Sequence, residues 1–110
     1  MNDHSLSVEA LDMIAERFKV LSEPIRLQIL HTLQEGEKSV NELTETVHTS
    51  QPNVSKHLKI LLKNGLLDRS QRGNTVFYSI ADESIFTLCE TVCGSLEEQL
   101  RSQAEIFSVA

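Results

Sequence analysis

Apolar residues recur at three- and four-residue steps through the first half of the chain, alternate for a short stretch, and then return to helical spacing. Val8, Leu11, Ile14, Ala15, Phe18 and Leu21 form one stripe, which predicts a helix from Ser7 to Leu21 after a tail over residues 1–6. Ser22-Glu23-Pro24 ends that helix and starts another, with Pro24 in a first-turn position. Ile25, Ile29, Leu30 and Leu33 carry the second helix, Gly36 ends it, and Glu37-Lys38 is expected as a loop. Ser39 and Glu42 have the spacing of a capping box, and Val40, Leu43, Thr44 and Val47 supply a short third helix. His48-Thr49 is a tight junction to a fourth, capped by Ser50 or Thr49, with Pro52 in its first turn and Asn64-Gly65 at its end. The apolar face of this fourth helix is Val54, Leu58, Leu61 and Leu62.

Beyond Gly65 the period drops to two. Leu67 and Arg69 alternate on one run, and Val76, Tyr78 and Ile80 alternate with Phe77 and Ser79 on the other. Gly73-Asn74 between them is a turn signal, so this segment is expected as a β-hairpin with a basic, polar tip. Asp82 can cap a last helix from Glu83 to Ser102 or beyond, with Ile85, Leu88, Cys89, Val92, Cys93, Leu96 and Leu100 on its apolar face. Gly94 lies inside it at some cost in propensity and permits close approach by another backbone. The expected fold is one domain over residues 1–110, mostly α with a small β-hairpin, in α-α-α-α-β-β-α order. A short helix, a brief turn and a second helix with a polar amino end is the helix-turn-helix arrangement, and a hairpin directly after it is a wing.

The fourth helix offers candidate chemistry for DNA. Gln51, Asn53, Ser55 and His57 crowd its first turns with short hydrogen-bonding groups, and Gln and Asn pair two-pronged with adenine in a major groove. Ser50, Lys56, Lys59 and the hairpin-tip Arg72 are candidates for phosphate. An ordinary solvated helix face and a solvated turn residue are the competing readings. The net charge of −6 argues against a nucleic-acid partner until its distribution is read. From Gln51 to Gly73, Lys56, Lys59, Lys63, Arg69 and Arg72 stand against Asp68 alone, so a local +4 rides on a remainder of −10. A basic patch on an acidic body binds phosphate while discouraging sequence-blind association.

A 40% hydrophobic content suffices for a small core, although domains of this size often gain stability by pairing. The first-helix stripe can pack on its own core or on a second copy. There is no long apolar run and no charged-then-apolar leader, so the expectation is a cytoplasmic protein with no membrane partner. The two cysteines are expected as reduced thiols. No nucleophile–base spacing, Gly-rich phosphate loop or catalytic metal cluster points to an enzyme. A protein-interaction module that kept the winged fold is the other function class the acidic body permits.

The element order, with Ser50-Gln51-Pro52-Asn53-Val54-Ser55-Lys56-His57-Leu58-Lys59 at its centre, resembles the ArsR/SmtB family of bacterial transcriptional repressors. Leu21-Ser22-Glu23-Pro24-Ile25-Arg26-Leu27-Gln28-Ile29-Leu30 and Val76-Phe77-Tyr78-Ser79-Ile80-Ala81-Asp82 carry the same likeness, which covers residues 16–100. The resemblance implies a homodimer through the first and last helices, with Leu11, Ile14, Phe18, Leu88, Val92 and Leu96 at the seam. It also implies a near-palindromic operator as double-stranded DNA partner, no required cofactor, and release by an inducer.

Most of the family's inducer ligands are missing here. Asn41 to Thr46 hold no Cys-x-Cys pair. Asp82-x-Ser84 and Ser95-x-x-Glu98 keep two carboxylates of a last-helix zinc site but put Ser where the imidazoles stand, so Asp82 reads better as a helix cap. His31 stands about where persulfide-sensing relatives have a Cys. What remains is Cys89 and Cys93, four residues apart on the apolar face. They are small hydrophobes at a seam, ligands for arsenite or a soft metal ion, or sites of thiol oxidation. Of the histidines, His4 is expected in the tail and His31 and His48 in structural roles.

Overall fold

The computed structural model describes residues 5–108; His4 and most of the expected tail lie outside the described residues. The chain begins with α1 (Val8–Leu21), capped by the Ser7 hydroxyl, which accepts from the Ala10 amide. Then follow α2 (Pro24–Leu33), β1 (Lys38–Ser39), α3 (Val40–Thr46), α4 (Gln51–Lys63), β2 (Leu67–Arg72), β3 (Thr75–Ile80) and α5 (Ser84–Ser108). The helix starts follow from local chemistry. Glu23 caps α2 through its carboxylate, Ser39 and Glu42 make both arms of a capping box on α3, and Ser50 accepts from the Asn53 amide at the start of α4.

The end of α4 is equally well defined. The Gly65 amide donates to Leu62 and the Leu66 amide to Leu61, with Gly65 at φ +76°. This is the paired bonding of a Schellman cap, which needs a left-handed residue that glycine supplies without steric cost. Leu61 and Leu66 are both fully buried, so the cap also turns the chain back into the core.

The expected loop at Glu37-Lys38 is corrected by the structure. Lys38 and Ser39 form a two-residue strand that pairs antiparallel with Tyr78 and Phe77, so the wing belongs to a three-stranded sheet of order β1-β3-β2. The hairpin register runs from Leu67 opposite Ile80 to Arg72 opposite Thr75, closed by Gly73-Asn74 with Gly73 at φ +62°. The core lies where α2, α3 and α4 meet the base of the sheet: Ile29, Leu43, Val47, Val54, Leu58, Leu61 and Leu66 are fully buried there.

Two elements join this core at one end only, α1 through the buried Val20 and Leu21 and α5 through its first turns. Among residues 84–106 of α5 only Ile85 is buried, with Phe86 and Leu88 packed half-buried behind it, and every residue from Cys89 to Ile106 is exposed. On α1, Val8, Leu11, Ile14 and Phe18 are likewise exposed. The radius of gyration is 17.7 Å, against roughly 13 Å for a compact domain of this length. No helix among the described residues is long and apolar enough to cross a membrane.

Candidate nucleic-acid interface

The sequence of α4 divides it into two faces, and the structure assigns each residue to one of them. Val54, His57, Leu58 and Leu61 are buried. Gln51, Ser55 and Lys59 follow one another at four-residue steps on the exposed side, flanked by Lys56 and Lys63. Ser50 is exposed at the amino end; its hydroxyl accepts the capping bond from the Asn53 amide at 3.3 Å and keeps a proton to donate to phosphate. Asn53 is half-buried, and its side-chain amide donates to the Thr49 hydroxyl at 3.0 Å, which ties it to the turn. His48, at φ +43°, makes the sharp corner between α3 and α4, so its structural part is played by its backbone while its side chain is exposed.

His57 is a correction. The polar character of the imidazole suggests a base-edge contact, but the side chain is 5% exposed and turned to the protein interior. Its Nδ1 accepts a hydrogen bond from Arg26 Nε at 3.1 Å, and its Nε2 lies 3.9 Å from the Glu23 carboxylate. Burial, more than its charged neighbours, holds its pKa below the ordinary value. The signal was present in the spacing: His57 stands three residues after Val54 and four before Leu61, on the buried stripe itself.

On the wing, Arg72 is exposed at the end of β2, where the sequence places it. It is not free: its guanidinium is bonded to the Glu37 carboxylate, with Nη1 to Oε2 at 3.3 Å, and lies 4.0 Å from the centre of the Phe77 ring. The shared hydrogen bond lowers the Glu37 pKa and raises that of Arg72. Arg17, which the sequence did not single out, donates to the Asn64 carbonyl at the end of α4 at 3.4 Å and pairs with Asp82 at 3.3 Å. Asp82 is a helix cap, as expected: its Oδ1 accepts from the Ser84 amide at 3.0 Å and hydroxyl at 2.6 Å, and these bonds, ahead of Arg17, hold its pKa down.

The two thiols lie along α5. Cys89 and Cys93 are both free and exposed, and both line an apolar groove of about 550 Å³ with Phe18, Leu27, Leu88, Val92 and Leu96. The Cys93 thiol donates to Glu97 at 3.5 Å, and this carboxylate pushes its pKa up. His31, exposed on α2, shares a neighbouring hollow with both cysteines. Among the described residues no group of three or more His, Cys, Asp or Glu is arranged to hold a metal ion.

The chain is 38% identical to the transcriptional repressor SmtB of Mycobacterium tuberculosis over 70% of its own length, a match that spans 57% of that relative. It is 36% identical to the arsenical resistance operon repressor of Bacillus subtilis, over 77% of this chain and 83% of the other. Among solved structures, the homodimeric winged helix-turn-helix DNA-binding domain of a Mycobacterium bovis protein superposes with a TM-score of 0.73 at 31% identity, covering 91% of this chain and 94% of that one. Residues 23–69, from the cap of α2 through α4 into the wing, match the description bacterial regulatory protein, arsR family. With its helix-turn-helix, three-stranded wing and these relatives, the chain belongs to the arsR family of winged helix-turn-helix transcriptional repressors.

Proposed function

We propose that the protein binds a near-palindromic operator as a homodimer and is released from it by a soft metal or metalloid, with arsenite as the first to try. The observation that carries the DNA half is the division of α4, which buries Val54, Leu58 and Leu61 while leaving Gln51, Ser55, Lys56 and Lys59 in solvent. That surface suits a major groove: an amide for base edges and ammoniums for phosphates. The dimer half is supported by the uncovered apolar band of α1 and α5, where Leu11 is 50%, Phe18 51%, Val92 48% and Leu96 52% exposed. The Mycobacterium bovis domain is homodimeric, and the same state is proposed for this chain. The reading entails a cytoplasmic location.

The inducer half rests on the thiols. The Bacillus subtilis relative is named for arsenical resistance, and thiolates are the preferred ligands of soft ions. Cys89 and Cys93 supply two sulfurs per chain in an open groove, so a three-thiol site draws its third from a second copy. Glu97 favours the protonated Cys93 thiol, so ligation releases a proton and weakens as pH falls. A fluorescence-anisotropy titration of the complex with the gene's upstream DNA is the test. Arsenite is expected to release the wild-type protein and to leave the Cys89→Ser/Cys93→Ser variant bound; release of both proteins alike removes the thiols from the account.

A further inference from the structure

His57 sits on α4 yet reaches neither solvent nor the exposed polar face. Its neighbours join three elements through two side chains. Arg26 donates through Nε to His57 Nδ1 at 3.1 Å and through Nη1 to the carbonyl of Val20, in the last turn of α1, at 3.0 Å. Glu23 closes the set: its Oε2 accepts from the Arg26 amide at 3.1 Å, capping α2, and lies 3.9 Å from His57 Nε2. A ring that accepts at Nδ1 carries its proton on Nε2, toward Glu23.

Apolar packing of Val54, Leu58 and Leu61 fixes how deep α4 sits, but such contacts are non-directional. Hydrogen bonds constrain angle as well as distance. A binding constellation must be held to within about 0.5 Å and roughly 10–20° to discriminate. We propose that Arg26 and His57 form a positioning pair that sets the rotation of α4 against the α1–α2 elbow, and so govern sequence discrimination without touching DNA. The proposal rests on the reading of α4 as the recognition helix.

The pair is sensitive to acid. Protonation fills Nδ1, which then faces the Arg26 donor instead of accepting from it. The charged groups around the ring are Glu23 and Arg26 of the α2 start and Lys56 of its own helix; Glu16 and Lys19 of α1 line a surface hollow with Glu23 and Arg26. Because the folded protein holds the imidazole below its ordinary 6.5, the contribution of the neutral ring is complete above that value. It is lost as pH falls through the lower folded-state value.

The experiment measures the affinity of the full chain for its upstream duplex and for a scrambled duplex, from above the ordinary imidazole value of 6.5 down to the lowest pH at which the chain stays folded. Arg26→Gln and His57→Leu are expected to lower the ratio of the two affinities about tenfold while scrambled-duplex affinity changes by less than about twofold. His57→Gln, whose amide oxygen can accept from Arg26, is expected to keep most of the ratio and to lack the decline that the wild type shows in acid. If His57→Leu does not fold, Arg26→Gln and the His57→Gln pH profile decide the matter. Discrimination that survives Arg26→Gln, or a His57→Gln profile parallel to wild type, overturns the pair alone. A wild-type protein that binds both duplexes alike overturns the recognition-helix reading, and the pair with it.

Discussion

Gln51 and Lys59 lie eight residues apart on the exposed face of α4 and are expected to fail in different ways. If Lys59 meets a phosphate as proposed, replacing it by Ala is expected to weaken binding on every sequence and to flatten the slope of log affinity against log salt by about one. Replacing Gln51 by Ala costs about 1–3 kcal/mol on the preferred operator and little elsewhere. Salt titrations on two duplexes separate the outcomes, and identical behaviour of the two variants would remove the assigned roles. Arg72 makes a third prediction. Glu37 holds its guanidinium in the free protein, so phosphate must compete with a carboxylate. Both groups are exposed, the ion pair is correspondingly weak, and Glu37→Gln is expected to tighten DNA binding roughly two- to fivefold at low salt. Unchanged affinity would mean that the wing arginine does not reach the duplex.

At the scale of the element, Ser39 serves twice. It ends β1, opposite Phe77, and its hydroxyl caps α3 by accepting from Glu42. Ser39→Ala is therefore expected to cost about 1 kcal/mol of stability, read from the urea midpoint; a neutral result would show that the capping box contributes nothing. The cap was legible in the sequence because Ser and Glu three residues apart announce it locally. The strand was not, because two residues have no alternation and their partners, Tyr78 and Phe77, lie far along the chain. The helices, the hairpin with its Gly73-Asn74 turn and the Asp82 cap were legible for the same local reasons. At His57 two signals conflict: the imidazole suggests a polar face, while its place on the Val54–Leu61 stripe puts it in the interior, and the stripe prevails. The partners of the imidazole, Glu23 and Arg26, sit about thirty residues earlier, and only the tertiary fold brings them together. The pairing of Arg72 with Glu37 was hidden in the same way.

The whole molecule exposes 7988 Å². A compact monomer of the same mass exposes roughly 6,100 Å². The difference is more than twice the roughly 800 Å² that each partner loses in a complex of standard size, so one interface of ordinary extent fits within it. The apolar residues that α1 and α5 turn outward include Leu11, Met13, Phe18, Leu96, Leu100 and Ile106. Two copies paired there would cover this band and hold two α4 helices at a fixed separation, which is what an operator with two half-sites requires. The same seam would draw Cys89 and Cys93 of both chains together, so that a ligand favouring a different dimer geometry would alter DNA affinity by linkage. Native mass spectrometry of the complex with the upstream duplex tests this account most directly. Two chains per duplex are expected, falling to unbound monomer in Leu96→Glu; one chain per duplex at full affinity would contradict it.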